Sequence, residues 1–172
     1  DKNLLSLIAR AMQTSMSWFI EYQNIYEDAI RDGLTGLLNH KTFIDRAQEE
    51  IERARRFQHQ LVFLIYDLDK FKRINDTLGH PYGDYVIKTT AKIIKDNVRS
   101  IDLVARYGGE EFTVVLVNTN KEAATTVAKR IVQNIQDYNF SMNGEKVDMT
   151  ISCGLSELSL IHISEPTRLR SI

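Results

Sequence analysis

The stretch Gly108-Gly109-Glu110-Glu111-Phe112 decides the fold of this 172-residue chain. It separates two strand-like runs, at residues 103–107 and 111–117. Two consecutive glycines between such runs predict a tight two-residue hairpin, because glycine adopts positive φ without steric cost. This turn would let a ligand's phosphate groups approach bare backbone, and it would place Glu110 at the tip. Glycine hairpins usually only reverse the chain, so a function must rest on the surrounding residues.

The patterns on both sides of the hairpin predict an α/β (α+β) domain. Residues 61–66 form a continuous apolar run, which fits a central strand buried on both faces. Apolar residues recur at helical spacing in residues 43–54, 86–98 and 124–135, and residues 147–155 fit a last strand. The order predicts a ferredoxin-like βαββαβ-type core, with a largely antiparallel central sheet flanked by helices.

Two asparagines mark predicted helix starts, and a long helix is predicted before the core. Asn39 and Asn120 each precede a periodic segment and can cap it. Residues 4–30 contain no Gly or Pro and read as one helix with two series at seven-residue spacing. The series are Leu5, Met12, Phe19 and Tyr26, and Ile8, Ser15, Tyr22 and Ala29. This periodicity fits a two-stranded coiled coil or an amphipathic helix packed on its own domain, and leaves both open.

Composition excludes several classes of partner. The formal net charge of −1 gives no overall attraction to a nucleic acid polymer or a membrane, so a polyphosphate site must be local. The single cysteine, Cys153, excludes an internal disulfide and suits a reducing compartment. No stretch is long and apolar enough to span a bilayer.

Acidic residues lie where two predicted strands meet. Asp67 follows the apolar run, where a buried carboxylate is costly unless it is paired or bound to metal. Together with Glu110 it makes a two-carboxylate site suited to Mg²⁺, which takes oxygen ligands. The alternative is that Asp67 caps the next turn and Glu110 is merely solvated.

Four blocks, at residues 32–39, 67–76, 79–84 and 108–112, together resemble the GGDEF family of diguanylate cyclases. The resemblance covers roughly residues 32–158. It implies that Asp67, the Leu68 carbonyl and Glu110 bind Mg²⁺, with Mn²⁺ as an alternative ion. It also implies that Glu110 and Glu111 are catalytic.

The resemblance further implies a GTP site. Its substrate-binding residues would be Phe71, Lys72, Asn75, His80, Asp84, Gly108 and Gly109. Asn75 and Asp84 would read guanine, whose donor pair on the Watson–Crick edge suits a carboxylate. The alternatives are an Asx-turn at Asn75, an N-cap at Asp84 and a purely structural His80.

Arg99 and Asp102 match the family's product-binding inhibitory site in their Arg-x-x-Asp spacing and in their distance from Gly108. Arginine can bind the O6 and N7 atoms of guanine with two hydrogen bonds. The alternative is an arginine at a helix end, favoured by the helix dipole, with Asp102 as a turn residue.

We therefore expect a diguanylate cyclase that acts as a homodimer, makes cyclic di-GMP from GTP and is inhibited by its product. An inert cyclic di-GMP receptor, of the binding class, and a dimerisation module, of the structural class, are the rival hypotheses. The intact hairpin signature argues against the receptor. The sequence does not reveal the input signal.

The chain is expected to divide at residues 31 and 158. Residues 1–31 would be a signalling or dimerisation helix, residues 32–158 a C-terminally truncated catalytic domain, and residues 159–172 a non-native tail. The tail resembles translated sequencing-adapter DNA and lacks the helix that the family has there. The first residue is Asp1, which predicts a fragment whose upstream sensory domain is missing. We expect a cytoplasmic domain, whose parent protein could be membrane-attached.

Overall fold

The computed structural model describes residues 2–158, with side-chain environments given for all of them except residues 2–9, 11 and 24. Five helices and six strands follow one another along this part of the chain. In order they are α1 (Lys2–Ile30), α2 (His40–Phe57), β1 (Leu61–Leu68), α3 (Phe71–Leu78), α4 (His80–Asp96), β2 (Leu103–Arg106), β3 (Glu111–Val117), α5 (Lys121–Gln136), β4 (Phe140–Met142), β5 (Glu145–Val147) and β6 (Ile151–Leu158).

The central sheet has the strand order β2-β3-β1-β6, and every neighbouring pair is antiparallel. Helices α3 and α4 connect β1 to β2, and α5 lies between β3 and the last sheet strand. This connectivity is the βαββαβ arrangement, so the predicted ferredoxin-like fold is confirmed. In the register, Leu61 pairs with Val117 and Asp67 pairs with Glu111, which brings the end of β1 to the start of β3.

Strand β1 is fully buried on one face and only partly buried on the other. Val62, Leu64, Tyr66 and Leu68 are fully buried in the main core, whereas Ile65 is 56% exposed and Asp67 is also exposed. The prediction of a strand buried on both faces is therefore wrong. The reason is that α2, which packs chiefly against β2, covers the second face only in part.

Both predicted asparagine caps are confirmed. The side-chain oxygen of Asn39 accepts a hydrogen bond from the backbone N–H of Thr42, and that of Asn120 from Ala123, each at 2.9 Å. The helix predicted over residues 86–98 begins earlier, at His80, and the separate helix α3 precedes it. Gly79 separates the two helices with a φ of 82°, a conformation that suits glycine.

A second hairpin, β4–β5, was not predicted. Asn143 and Gly144 form its turn, with positive φ values of 54° and 86°. The Tyr82 hydroxyl holds the hairpin against α4 by donating to the Phe140 carbonyl at 2.8 Å. The last sheet strand consequently begins at Ile151 and not at residue 147.

Helix α1 makes no extensive packing contact with any other described element. Its large apolar side chains face solvent, among them Met12 (67% exposed) and Phe19 (61% exposed). For the described residues, the alternative in which α1 packs on its own domain is thus wrong. The side chains of Leu5 and Ile8, and the whole tail at residues 159–172, lie outside the description. None of the described helices is long and apolar enough to cross a membrane.

Candidate active site

The glycine hairpin is wider than predicted. Strand β2 ends at Arg106 and β3 begins at Glu111, and the N–H of Tyr107 donates to the Glu111 carbonyl at 2.8 Å. Neither Gly108 nor Gly109 adopts a positive φ, so the prediction of a two-residue turn that needs left-handed glycines is wrong.

The two glycines differ in their surroundings, with a close contact at Gly108 and open space at Gly109. A Cβ at position 108 would lie 2.5 Å from Oε2 of Glu111, so a side chain there would displace that carboxylate. A Cβ at position 109 would have no heavy atom within 4 Å. Gly108 therefore makes room for Glu111, and Gly109 leaves free space beside the hairpin.

Three carboxylates converge where β1 meets the hairpin. Asp67 and Glu111 are cross-strand partners, and the N–H of Leu68 donates to the Glu110 carbonyl at 3.3 Å. Burial raises the pKa of Glu110 above its usual value, and the negative charges of Asp67 and Glu111 raise it further. Asp67 itself is exposed, so its expected burial is wrong, but it lies close enough to Glu110 to raise the pKa of that residue.

The donor set fits a magnesium ion only with help from other oxygens. Repulsion between Asp67 and Glu110 favours a cation between them, because a positive charge would stabilise both ionised forms. No group of three or more His, Cys, Asp and Glu side chains in residues 2–158 is arranged as a ready-made metal centre. Mg²⁺ usually completes its shell with waters and substrate phosphates, so two carboxylates suffice.

The predicted base-reading residues lie together across the α3–α4 junction. The Asn75 side chain touches Gly83, where an added Cβ would collide with its Oδ1, and Gly83 adjoins Asp84. Asn75 makes no side-chain hydrogen bond with any described residue, so the Asx-turn alternative is wrong. Asp84 is the fifth residue of α4, past the N-cap position, and it is exposed. Both polar groups are thus available to a ligand.

The remaining predicted substrate residues surround this junction. Phe71 is buried at the start of α3, and the neighbouring Lys72 is exposed. His80 is exposed as the first residue of α4. Asp69, beside them, accepts hydrogen bonds from the Thr150 and Ser152 hydroxyls at 2.6 and 2.7 Å, which gives it a structural role.

Arg99 and Asp102 lie in the connection between α4 and β2, away from the carboxylates. Arg99 is exposed and lies beyond the end of α4. The Asp102 carboxylate accepts hydrogen bonds from the backbone N–H groups of Arg99 at 2.8 Å and Val117 at 3.0 Å. Asp102 is therefore a turn residue in this structure, and its oxygens order the backbone that carries Arg99.

Comparison with known proteins identifies the family. Residues 29–169 match the family described as "Diguanylate cyclase, GGDEF domain". The chain belongs to this family. The predicted family assignment is thus confirmed, and the match spans most of the 172 residues.

Relatives of this GGDEF domain include curated and structurally solved proteins. Diguanylate cyclase A of Treponema denticola is 43% identical over 122 residues, which are 71% of this chain and 31% of that protein. The structure of the coiled coil and GGDEF domain of DgcB from Caulobacter crescentus, in complex with c-di-GMP, has a TM-score of 0.82. That likeness covers 92% of this chain and 85% of the other, at 26% identity.

A structure of the GGDEF domain of DgcB alone, also in complex with c-di-GMP, has a TM-score of 0.75 at 30% identity. It covers 78% of this chain and 80% of that one. This chain spans only 31% of the length of diguanylate cyclase A. It spans 23% of the length of another curated relative, diguanylate cyclase DgcP of Pseudomonas aeruginosa.

Sequence reasoning missed one residue that holds the GGDEF hairpin. Arg106 donates from Nη2 to the Gly109 carbonyl at 2.7 Å and from Nε to the Gly108 carbonyl at 3.1 Å. Its Nη1 also binds the Asp32 carboxylate at 3.2 Å. The only available signal was position, since Arg106 stands two residues before the glycines.

Proposed function

We propose that this chain is the catalytic domain of a diguanylate cyclase. In the reaction, two GTP molecules are condensed to one cyclic di-GMP and two pyrophosphates. Each ribose 3′-hydroxyl attacks the α-phosphorus of the other GTP, and each pyrophosphate leaves as the new phosphodiester bond forms. The observation that carries the proposal is the pairing of Glu110 with Asp67 beside the free space at Gly109.

The chain's own residues bind and orient the nucleotide. Asn75 and Asp84 hydrogen-bond the guanine edge, and the exposed Lys72 neutralises phosphate charge. The open backbone at Gly109 admits the phosphates. Phosphoryl transfer depends mainly on positioning and charge neutralisation, so these contacts supply most of the catalysis.

Glu111 receives the proton of the attacking hydroxyl in this scheme. Its carboxylate lies against the backbone of Gly108 and opposite Asp67, at the edge of the same space. Asp67, the Leu68 carbonyl and Glu110 would hold Mg²⁺, with Mn²⁺ as a substitute. When bound, the ion supplies Lewis-acid stabilisation of phosphate charge and a template for the nucleotide.

A homodimer follows from the reaction, because one chain offers one GTP half-site and two must face each other. The exposed apolar side chains of α1, at the predicted heptad positions of Met12 and Phe19, support pairing through this helix. Product binding at Arg99 and Asp102 would provide feedback inhibition. In this proposal the reaction takes place in the cytoplasm, and an upstream sensory domain controls its rate.

One observation favours a second candidate, a receptor that binds cyclic di-GMP without making it. Arg99 lies on a pocket rich in cationic side chains, which an inert domain could also use. Turnover distinguishes the two candidates, because the receptor needs no carboxylates on the hairpin.

The test is incubation of the purified 172-residue chain with GTP and MgCl₂, followed by chromatography of the nucleotides. We expect cyclic di-GMP and pyrophosphate from the wild type and neither from Glu110→Gln. Glu122→Gln, on the first turn of α5, is the matched control and should react normally. Near-normal turnover by Glu110→Gln at saturating Mg²⁺ would contradict the metal assignment. If the wild type forms no cyclic di-GMP, the receptor is favoured instead.

Guanine recognition has its own test. A pocket that hydrogen-bonds one base leaves polar groups unpaired when another base enters, which can discriminate by roughly 10⁴. Calorimetry with GTP and ATP should therefore show strong preference for GTP, and equal affinities would remove Asn75 and Asp84 from the proposal.

A further inference from the structure

The β4–β5 hairpin, at residues 140–147, lies beside the two helices that carry the proposed base-reading residues. Its first strand contacts α4, and Phe140 at the start of that strand is fully buried. The Phe140 ring meets the Tyr85 ring of α4 edge-on, with ring centroids 6.4 Å apart. The second strand of the hairpin and α3 instead line an open pocket of about 620 Å³. The hairpin therefore supports the α3–α4 junction chiefly through α4.

Tyr82 links α4 to both strands of the hairpin. It is the third residue of α4 and is 3% exposed. Its hydroxyl oxygen lies 2.8 Å from the carbonyl oxygen of Phe140, which begins β4, and 3.3 Å from that of Glu145, which begins β5. Because the contact with Phe140 is buried, the low local dielectric strengthens this hydrogen bond. It therefore holds the first turn of α4 at a fixed distance from the hairpin.

Backbone hydrogen bonds join Tyr82 to the base-reading junction. The N–H of Tyr82 donates to the Gly79 carbonyl at 3.1 Å, and the N–H of Gly79 donates to the Asn75 carbonyl at 3.0 Å. Asp84 follows Tyr82 by two residues in the same part of α4. Gly83, between them, lies against the Asn75 amide, because an added Cβ there would collide with Oδ1. A movement of Tyr82 is thus transmitted to both base-reading residues.

Helix α3, which carries Asn75, depends on α4 for its position. Among the described elements, α3 packs extensively only against α4. Its eight residues are too few to form a stable helix alone, since isolated helices shorter than about 12 residues are marginal in water. Its buried first residue, Phe71, places its ring against Gly83 of α4. The location of Asn75 is therefore set by the first turns of α4.

We propose that Tyr82 is a positioning residue for base selection, because its hydrogen bond to the β4–β5 hairpin fixes the spacing between Asn75 and Asp84. This role rests on the function proposed above, in which those two side chains hydrogen-bond guanine. The Tyr82 hydroxyl faces the hairpin and contacts no nucleotide in this scheme. Donors and acceptors on a base edge have fixed separations, so a shift of α4 relative to α3 weakens the pairing with guanine.

Calorimetric titration of the 172-residue chain in MgCl₂ tests this role. The probes are the α,β-methylene analogues of GTP and ATP, whose bridge between the α- and β-phosphorus is not cleaved in the reaction. Tyr82→Phe removes the hydroxyl and keeps the ring. The ratio of the Kd for the ATP analogue to the Kd for the GTP analogue should fall about tenfold, because loss of a buried hydrogen bond loosens the first turn of α4. Unfolding of a fraction of the protein would reduce the number of binding sites but not change this ratio, so a merely structural role would leave it unaltered.

Tyr138→Phe is the matched control. Tyr138 belongs to the same aromatic cluster, with its ring centroid 4.8 Å from that of Phe140, and the substitution makes the same chemical change. Its side chain is 41% exposed, and its hydroxyl is not the one that bonds the hairpin carbonyls. The Kd ratio should equal that of the wild type. Equal losses in Tyr82→Phe and Tyr138→Phe would overturn the proposal.

A change in the hairpin turn tests the same route from its other end. Gly144 has a φ of 86°, and an added Cβ would have no heavy atom within 4 Å. Gly144→Val therefore strains the turn without touching α4, since a β-branched residue is an outlier at positive φ. We expect it to lower the Kd ratio as well. In the double variant with Tyr82→Phe the two losses should not multiply, because both act through one hydrogen bond. Losses that multiply would overturn the proposal.

The outcomes separate this role from the proposed function. An unchanged ratio in Tyr82→Phe, with a wild type that prefers the GTP analogue and makes cyclic di-GMP, would overturn the role of Tyr82 and leave the cyclase standing. A ratio that falls in Tyr82→Phe, with a wild type that makes no cyclic di-GMP, would support the role of Tyr82 and overturn the cyclase. A wild type without preference between the analogues would overturn base reading at Asn75 and Asp84 and the role of Tyr82 with it.

Discussion

Arg106 binds Asp32 through Nη1, at 3.2 and 3.3 Å to the two carboxylate oxygens. The rest of the same guanidinium donates to the carbonyls of Gly108 and Gly109. One side chain thereby connects Asp32, which lies just after α1, to the glycine hairpin. Because arginine's planar fork fixes these directions, the position of the hairpin depends on the position of Asp32.

Arg106→Lys should slow cyclisation while the fold is kept. Lysine retains the charge but cannot bond Asp32 and two carbonyls at once, so the hairpin loses its orientation. Small misplacements of reacting groups can reduce rates by about 10²-fold. Initial rates with GTP and a thermal melt measure the two effects. An Arg106→Lys enzyme with wild-type kcat would show that the hairpin is positioned without it.

Asp32→Asn should lower stability at neutral pH but not in strong acid. Burial alone would raise the pKa of Asp32, but hydrogen bonds from Thr35 and the charge of Arg106 outweigh it and hold the pKa below 3.8. The stabilisation is therefore complete above pH 3.8 and is lost as the pH falls through the folded value. Urea unfolding should show a difference of about 1 kcal/mol at pH 7 that shrinks below pH 3.8. A difference that is constant with pH would contradict the linkage.

Alanine at the two hairpin glycines should have different kinetic effects. Gly108→Ala pushes the Glu111 carboxylate aside and should lower kcat. Gly109→Ala meets no protein atom within 4 Å, so it should fold normally and raise KM by filling the space in which we propose that the nucleotide binds. Steady-state kinetics with GTP separates the two. Wild-type KM in Gly109→Ala would mean that the substrate does not use that space.

Gly83→Ala should reduce guanine selectivity without altering a polar group. The new methyl would displace the Asn75 amide and crowd the Phe71 ring, whose Cζ lies 3.1 Å from the Cβ position. We expect the preference for GTP over ATP to fall by tenfold or more, since a displaced amide no longer pairs with the base. Gly154→Ala on β6 is the control, because its Cβ has open space. Retained selectivity in Gly83→Ala would separate Asn75 from base recognition.

Lysine at Met12 and Phe19 should separate the predicted dimer. Both side chains are exposed on one face of α1, and burial of a charge in the seam is costly. Sedimentation should show monomers and the cyclase rate should fall with them. Gln13→Lys adds charge to an exposed position outside the seam and should leave the dimer intact. A dimer that survives the double substitution would have to form elsewhere.

Local patterns predicted the elements whose causes are local. The caps at Asn39 and Asn120 and the helical spacing of α2 and α5 were readable, because each depends on neighbouring residues. The β4–β5 hairpin was readable too, since Asn-Gly between short strands is the usual signal of a two-residue turn. It was missed, and residue 147 was assigned to the last sheet strand instead of to this hairpin.

Other features depend on contacts between distant residues. Arg106 and Asp32 are 74 positions apart, so no spacing within a motif reveals their ion pair. The exposure of Asp67 depends on how much of the sheet α2 covers. The apolar run at residues 61–66 does not indicate this coverage. The close approach of the Glu111 carboxylate to Gly108 arises only in the folded hairpin.

Because the described part of α1 does not pack extensively against the domain, another helix could take its place. Its connection uses backbone carbonyls of the helix: the backbone N–H of Asn39 donates to the Ile30 carbonyl, and the Asn39 side-chain amide donates to the Ala29 carbonyl. Backbone groups do not depend on the identity of the side chains that precede them. An unrelated helix ending in the same direction could thus be spliced before residue 29 without repacking the core.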